Sequence, residues 1–485
     1  MLFNSFEFLI FLPIVFILYW FVFKPVKWQN LLVVVASYVF YGWWSWKFLI
    51  LIAITTLCSF MSGLLIEKCR TDGCRSKIGG KGGDWWVSLF NILLNLGILG
   101  VYKYYDFFVV QLADLLGLNS SKFVLNLILP VGISFYTFQA LSYSIDVYRG
   151  KIKATRDLVE FAAYISFFPQ LVAGPIERAT NLLPQFQKPR QFNETQAADG
   201  MRQMLWGFFK KLIVADNCAE IANWAFDNYQ EANLGGMMMF LGAVAFTFQI
   251  YGDFSGYSDI AIGTAKLFGI TLRRNFNVPY FSRDVAEFWK RWHISLNSWF
   301  VDYIYIPLGG SREGRWKTIR NTFVIFLVSG LWHGANWTFV TWGAYHACLF
   351  VPLILLKKQK RYKTGIVAEN SIFPSLKELI EMFSTFILVV FGWILFRAEN
   401  IGQAYDYILT MFTHITVWYP IGEKITIFYY IIFMVLIEWF SRKQVHTLSV
   451  VPIRWRWMRL CVYVCFFVWM IVNRGNQATF IYFQF

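Results

Sequence analysis

Leu331-Trp332-His333-Gly334-Ala335-Asn336-Trp337 joins two apolar runs, 319–334 and 336–356. Each run is about the length that crosses a bilayer. A histidine at such a junction governs the reading of the whole chain. Lipid offers no water to an ionisable side chain, so one found at membrane depth faces a cavity, a pathway or the protein interior. Gly334 leaves room beside the imidazole and Asn336 offers a polar partner, which favours a cavity; the alternative is a hydrogen-bonded packing residue.

Outward from this stretch the pattern repeats. Apolar runs fall at 6–23, 30–46, 48–66, 86–105, 123–145, 200–222, 237–262, 376–396, 426–440 and 457–473. The chain of 485 residues is 57% hydrophobic, 20% aromatic and only 15% charged, with a mean hydropathy of +0.47. That balance lies far from that of a soluble globular protein. At roughly 20 residues per crossing, the length holds about ten to twelve spans. The expectation is an all-α polytopic membrane protein, with residues 1–485 forming one membrane-embedded unit. Met1 to Glu7 lead straight into an apolar run without a basic start or a small-residue cleavage site, so the first segment is expected to stay as a helix. Seven cysteines, among them Cys69 and Cys74 in a basic loop, match neither a disulfide framework nor a zinc site, and no metal is expected.

The net charge of +15 sits in short clusters between apolar runs. This is the positive-inside pattern, so the phosphates these residues meet are expected on membrane lipids or an anionic donor, not on nucleic acid. The clusters at 68–81, 357–363 and 454–459 are expected on the cytoplasmic side. Alternation from them puts both termini, including the tail 476–485, on the exterior of a multi-pass protein. Two stretches fit neither lipid-facing helix nor loop. Residues 165–178 are apolar but broken by Pro169, Gly174 and Pro175, as in a re-entrant segment. Residues 273–316 carry Arg273, Arg274, Arg283, Asp284, Glu287, Lys290, Arg291, His293 and Asp302 among many aromatics. They are expected along the cytoplasmic interface or dipping into the protein.

A neutral imidazole in a membrane cavity can accept the proton of a hydroxyl attacking an acyl carbon. No nucleophile elbow, zincin motif, Walker loop or dinucleotide fingerprint is present, so acyl transfer with His333 as base is the economical enzyme hypothesis. Asp253 and Asp259 lie inside the apolar run 237–262. Each is expected to face the interior with a partner, in a structural network that includes Arg273 or Arg274; a proton or ion relay would instead favour a transporter or flippase. The segment Phe480-Ile481-Tyr482-Phe483-Gln484-Phe485 is, by composition, an aromatic interfacial anchor.

Six ordered blocks together resemble the membrane-bound O-acyltransferase (MBOAT) superfamily, in its bacterial alginate O-acetyltransferase branch. They are Leu129 to Gln139, Phe168 to Ile176, Tyr251 to Asp259, Asn275 to Tyr280, Phe288 to Leu296 and Trp332 to Trp337. The resemblance implies the MBOAT fold, spanning helices with re-entrant and interfacial helices around a central tunnel, in the bacterial cytoplasmic membrane. It implies that His333 is the catalytic histidine and that His293 is a second family histidine of less settled role. It implies acetyl-CoA as the donor substrate, with no permanently bound cofactor. Arg273, Arg274, Lys290 and Arg291 are then the expected donor-binding residues, and Asn336, Asp253 and Asp259 polar residues of the tunnel or its support. The polymer-acylating members carry a Phe-x-Tyr-x-x-Phe tail, matched by Phe480, Tyr482 and Phe485, whose tyrosine takes the acyl group for an exported partner. The partner so implied is a secreted or membrane-anchored serine-type O-acetyltransferase acting on a polysaccharide, alginate by default and peptidoglycan or cellulose otherwise. D-alanyl transfer to teichoic acid is a further alternative.

Overall fold

The computed structural model describes every residue except 72–80, 173, 231–234, 360, 363–364, 415–425, 451–452 and 484–485. Phe485 of the tail signature, Cys74 and parts of the basic clusters at 68–81 and 357–363 lie outside the described residues. The regular elements are helices, and one stands at each apolar run. The described chain groups into two compact units, Met1–Met201 with Ala261–Arg273, and Arg202–Ile260 with Arg274–Phe485.

The first unit holds α1 (Phe6–Ile17), α2 (Val26–Ser45), α3 (Leu49–Thr71), α4 (Gly83–Leu99), α5 (Tyr105–Leu116), α6 (Ile133–Tyr148), α7 (Leu158–Ser166), α8 (Phe168–Leu171) and α9 (Ala179–Gln187). It also takes the start of α10 (Glu194–Phe209) and the end of α12 (Gly236–Leu267). The run expected as a span from 123 becomes helical only at Ile133. Pro130 lacks an amide hydrogen, and Gly132 is left-handed at φ 74°, both of which break a helix at its start. Gly132 is also obligatory for packing, since a Cβ there would lie 2.5 Å from the Leu171 carbonyl oxygen. Residues 165–171 form the broken pair α7–α8, with every residue from Phe161 to Leu171 buried. Its Phe168 amide donates to the Ser37 hydroxyl at 3.0 Å, which answers the backbone polarity that such a break exposes.

The second unit holds the rest of α10 and α12, with α11 (Asp216–Asp227), α13 (Val285–Arg291), α14 (Ile294–Phe300), α15 (Arg315–His333), α16 (Trp337–Leu355), α17 (Leu376–Arg397), α18 (Ile401–Thr413), α19 (Thr426–Ser441) and α20 (Arg456–Val472). Glycines set close helix approaches in it. A Cβ on Gly207 would stand 2.7 Å from the Gly256 carbonyl oxygen, and one on Gly252 2.8 Å from that of Lys210. The Gly252-x-x-x-Gly256 face of α12 therefore lets a second backbone lie directly against it, as small residues do between membrane helices. On α15 and α16, a Cβ on Gly330 would meet the Phe339 carbonyl oxygen at 2.2 Å and one on Gly343 that of Phe326 at 2.3 Å. Between α10 and α11 the helix widens into a π-turn at Lys210–Ala215, a distortion common at functional sites.

Five helical stretches among the described residues are long and apolar enough to cross a membrane: Val26–Thr71, Gly83–Leu116, Gly236–Leu267, Trp337–Leu355 and Leu376–Arg397. Two more, Phe6–Val22 and Thr426–Ser441, are apolar but shorter. These are fewer than the expected runs partly because some helices, such as α6 at 16 residues and α20 at 17, are short, and for two further reasons. Val26–Thr71 is a single 46-residue stretch containing both α2 and α3, and α10–α11 and α15 carry the charges of Lys210, Lys211, Asp216, Arg315, Lys317 and Arg320. The chain is a multi-pass membrane protein.

Candidate active site

His333 is the last residue of α15, and the backbone turns extended at Gly334. The imidazole is 4% exposed. Trp342 of α16 and Phe396 of α17 meet it edge-on, each with ring centroids 5.1 Å away, and Trp332 adds a third ring at 4.9 Å. Gly334 is needed here because a Cβ would stand 2.2 Å from the Phe339 ring. Asn336 caps α16 through its side-chain oxygen, which accepts from the Thr338 amide at 3.0 Å. Its amide nitrogen donates to the Glu399 carbonyl at 2.8 Å. The asparagine thus fixes the α15–α16 turn that presents His333.

His293 arrives from the charged stretch 273–316, of which residues 274–300 are mostly buried in the second unit and residues 301–316 are mostly exposed. It is 1% exposed and sits between α13 and α14 in the left-handed region at φ 43°. A non-glycine residue held there stores strain that the surroundings must overcome. The segment Asn275 to Asn277 does so. The Ile294 amide donates to the Asn275 carbonyl at 2.9 Å and the Ser295 hydroxyl to Asn275 Oδ1 at 2.9 Å. Asn275 Nδ2 in turn donates to the Ser258 hydroxyl of α12 at 3.1 Å. Phe254 meets the His293 ring edge-on at 4.6 Å and Trp332 at 5.6 Å. Neither ring nitrogen has a hydrogen-bond partner among the described residues. Burial lowers the imidazole pKa from its usual 6.5 to about 3, so the ring is neutral at physiological pH.

The tail reaches both histidines. Tyr482 lies with its ring 5.6 Å from His333, 6.2 Å from His293, 6.1 Å from Trp332 and 4.4 Å from Phe254. Its hydroxyl is buried. Burial, reinforced by the Asp253 carboxylate, raises the phenol pKa well above 10, so Tyr482 stays protonated and needs a base to become a nucleophile. Phe480, buried completely, packs tilted against Tyr257 with centroids 4.2 Å apart. The segment read by composition as an interfacial anchor is therefore folded into the protein through Phe480 and Ile481. A phenol between two imidazoles, of which His293 is neutral, is an arrangement suited to base-assisted attack on an acyl carbon.

Asp253 and Asp259 both face the interior. Their ion-pair partners are lysines, not the arginines expected from sequence. Lys211 Nζ lies 2.8 Å from Asp253 Oδ1 and 2.8 Å from Asp216 Oδ1. Lys210 Nζ lies 2.5 Å from Asp259 Oδ2, whose other oxygen accepts from Gln203 at 2.8 Å. Sequence reasoning passed over Lys210, Lys211 and Asp216, although two lysines within the apolar run 200–222 carry the same signal as an intramembrane aspartate. The aromatic enclosure of Trp332, Trp342, Phe396 and Phe254 left no comparable mark in a chain so rich in aromatics.

The four basic residues expected at the donor have separate attachments. Arg273, in the first unit, lies 3.9 Å from Glu177, while Arg274 Nε donates to the Phe276 carbonyl at 2.5 Å. Arg291 is paired with Glu287 at 2.7 Å and buried, whereas Lys290 on the same helix is exposed. His346 is a packing residue: it is fully buried, and its Nδ1 accepts from Trp289 Nε1 at 3.3 Å.

His333, His293 and Tyr482 thus share one buried aromatic enclosure. Residues 133–361 match the model of the membrane-bound O-acyltransferase family. The chain is 41% identical over 416 residues to the "Probable alginate O-acetylase AlgI" of Pseudomonas aeruginosa, covering 85% of this chain and 75% of that protein. The chain therefore belongs to the MBOAT family, is similar to its alginate O-acetylases, and is an O-acyltransferase. It is also 32% identical over 434 residues to the peptidoglycan O-acetyltransferase of Helicobacter pylori, covering 83% of this chain and 78% of that protein. Identity to the teichoic acid D-alanyltransferase of Bacillus subtilis is 30% over 290 residues, covering 56% of this chain and 70% of that protein.

Proposed function

We propose that this protein passes acetyl groups across the bacterial cytoplasmic membrane, from cytoplasmic acetyl-CoA to Tyr482 and on to an exported O-acetyltransferase that modifies a cell-surface or secreted polysaccharide. The observation that carries this reading is the meeting of the Tyr482 ring with both His333 and His293. In the first step the Tyr482 oxygen attacks the thioester carbonyl and His333 takes the phenol proton. The C–S bond then breaks, and the imidazolium returns the proton to the departing thiolate. Acetyl-tyrosine and free CoA result. In the second step a serine of the exported partner attacks the aryl ester, takes the acetyl group and leaves Tyr482 as the phenol. His293, neutral and enclosed, positions the acyl group or shares the base role. Arg274, Lys290 and Arg291, all in the second unit, supply positive charge for the CoA phosphates. Both termini face the exterior in this scheme.

The names of the relatives support acetyl as the group and an envelope polysaccharide as the final acceptor, alginate first and peptidoglycan second. The test uses the purified full-length protein with radiolabelled acetyl-CoA. Label is expected on Tyr482 of the wild-type protein, and none on Tyr482→Phe. His333→Ala is expected to slow labelling by about 10²- to 10⁴-fold, the usual worth of a general base. Wild-type polymer acetylation by a folded Tyr482→Phe variant would sink the relay.

A further inference from the structure

The tail between α20 and Tyr482 is held by a side-chain bond, from Asn476 Nδ2 to Glu220 Oε1 at 2.8 Å, and by contacts to its main chain. Gly475 donates its amide to the Leu212 carbonyl at 3.1 Å, and a Cβ there would lie 2.7 Å from the Asn217 amide nitrogen. The Ala478 carbonyl accepts from Lys211 Nζ at 3.1 Å, and the Ala478 amide donates to Asp216 Oδ1 at 3.4 Å. The Ile481 amide donates to Asp253 Oδ2 at 2.7 Å. Lys211, Asp216 and Asp253 are themselves one ion triad, with side chains 1%, 1% and 4% exposed.

The charges of this triad do not cancel. One ammonium stands against two carboxylates, so one negative charge is formally left over in a buried place, where an uncompensated ion is strongly unfavourable. The groups that answer it are the tail's own amides at 478 and 481, as charge-assisted hydrogen bonds. The grip ends one residue before Tyr482, whose side chain is left to the aromatic enclosure.

We infer that Lys211, Asp216 and Asp253 form a docking cradle for the main chain of the tail, and that they are positioning residues which set Tyr482 between His333 and His293. Docking of the tail is independent of what Tyr482 does; its consequence for acyl transfer rests on the relay reading above. The cradle takes an extended peptide main chain, and its occupant is residues 475–481 of this chain. It also gives Asp253 a structural reason to lie in an apolar helix.

The experiment is hydrogen exchange, followed by mass spectrometry, on the full-length protein in detergent or lipid discs, alongside acetyl transfer from acetyl-CoA. Ile481→Pro removes the donated N–H and touches nothing in the triad, while Ile481→Ala keeps the N–H and loses similar packing. Ile481→Pro is expected to raise exchange in peptides covering 474–483 by on the order of tenfold or more, the worth of one hydrogen bond to a charged group. It should lower kcat for acetyl transfer without changing KM for acetyl-CoA. Ile481→Ala should retain most tail protection. Asp253→Ala, which leaves a neutral Lys211–Asp216 pair, should loosen the same peptides while α12 exchanges as in the wild type. Tyr482→Phe should keep full tail protection and lose transfer, so the cradle and the relay fail separately. Wild-type tail exchange in Ile481→Pro would overturn the inference. So would loosening of α12 together with the tail in Asp253→Ala, since the triad would then be core structure only.

Discussion

The substitution Gly330→Ala tests whether helix packing sets the place of His333. A Cβ on Gly330 would lie 2.2 Å from the Phe339 carbonyl oxygen, 2.9 Å from its carbon and 3.3 Å from Val340 Cα, all backbone atoms of α16. Ordinary contact begins near 3.4 Å, so α15 and α16 must separate by about 1.2 Å. No flexible side-chain end can absorb that. His333 follows on the next turn of α15, on the side that already faces Trp342 of α16 at 5.1 Å. Overpacking of this kind costs about 1–3 kcal/mol of stability. A shift of roughly 1 Å in a catalytic group costs on the order of 10²-fold in rate. The assay is acetyl transfer from saturating acetyl-CoA by the purified protein, read beside its thermal midpoint. Gly97→Ala is the control, since nothing lies within 4 Å of a Cβ there. The expected result is a folded Gly330→Ala protein with a lowered midpoint and transfer reduced about 10²-fold, against wild-type behaviour for Gly97→Ala. Unchanged rate and midpoint in Gly330→Ala would refute the reasoning.

Lys211→Met strands the carboxylates of Asp216 and Asp253 beside each other, and breaking a buried pair from one side costs about 3–5 kcal/mol. Thermal unfolding should show this as a large drop, and Lys211→Met/Asp253→Leu should recover part of it. His293, with its pKa lowered from 6.5 to about 3, binds a proton in the unfolded chain before it does in the folded one. Its linkage therefore leaves stability intact above pH 6.5 and removes it as pH falls toward 3, at up to about 1.4 kcal/mol per pH unit. A neutral His293→Gln variant should show a shallower loss over that window, and an unchanged slope would refute the assignment. Gly475→Ala, pressed against the Asn217 amide nitrogen at 2.7 Å, should raise hydrogen exchange in the tail while leaving α15 and α16 as in the wild type.

Hydrophobic patterning determined the helices. Each apolar run became one, because a chain in lipid has few ways to satisfy its backbone other than a helix. Where local chemistry spoke against a helix, as at Pro130 and Gly132, the element started late. His333 was legible for the same reason, since an ionisable residue in apolar surroundings is conspicuous in one dimension, whereas His293, set in a charged stretch, was legible through family resemblance. The tail was legible only through family resemblance, since by composition its aromatics suit an interface equally well. Partner choice was not legible at all. Asp253 lies far along the chain from Lys211 and from Ile481, and no spacing rule states that a π-turn and two glycines on α12 bring a lysine, two carboxylates and the tail's amides together. The sequence by itself determined a multi-pass helical protein, because periodicity and burial cost are local properties, and its six ordered blocks carried the resemblance to the O-acyltransferases. Only the tertiary structure decided that Tyr482 sits 5.6 Å from that histidine, because backbone contacts carry no residue signature and are made by the fold alone.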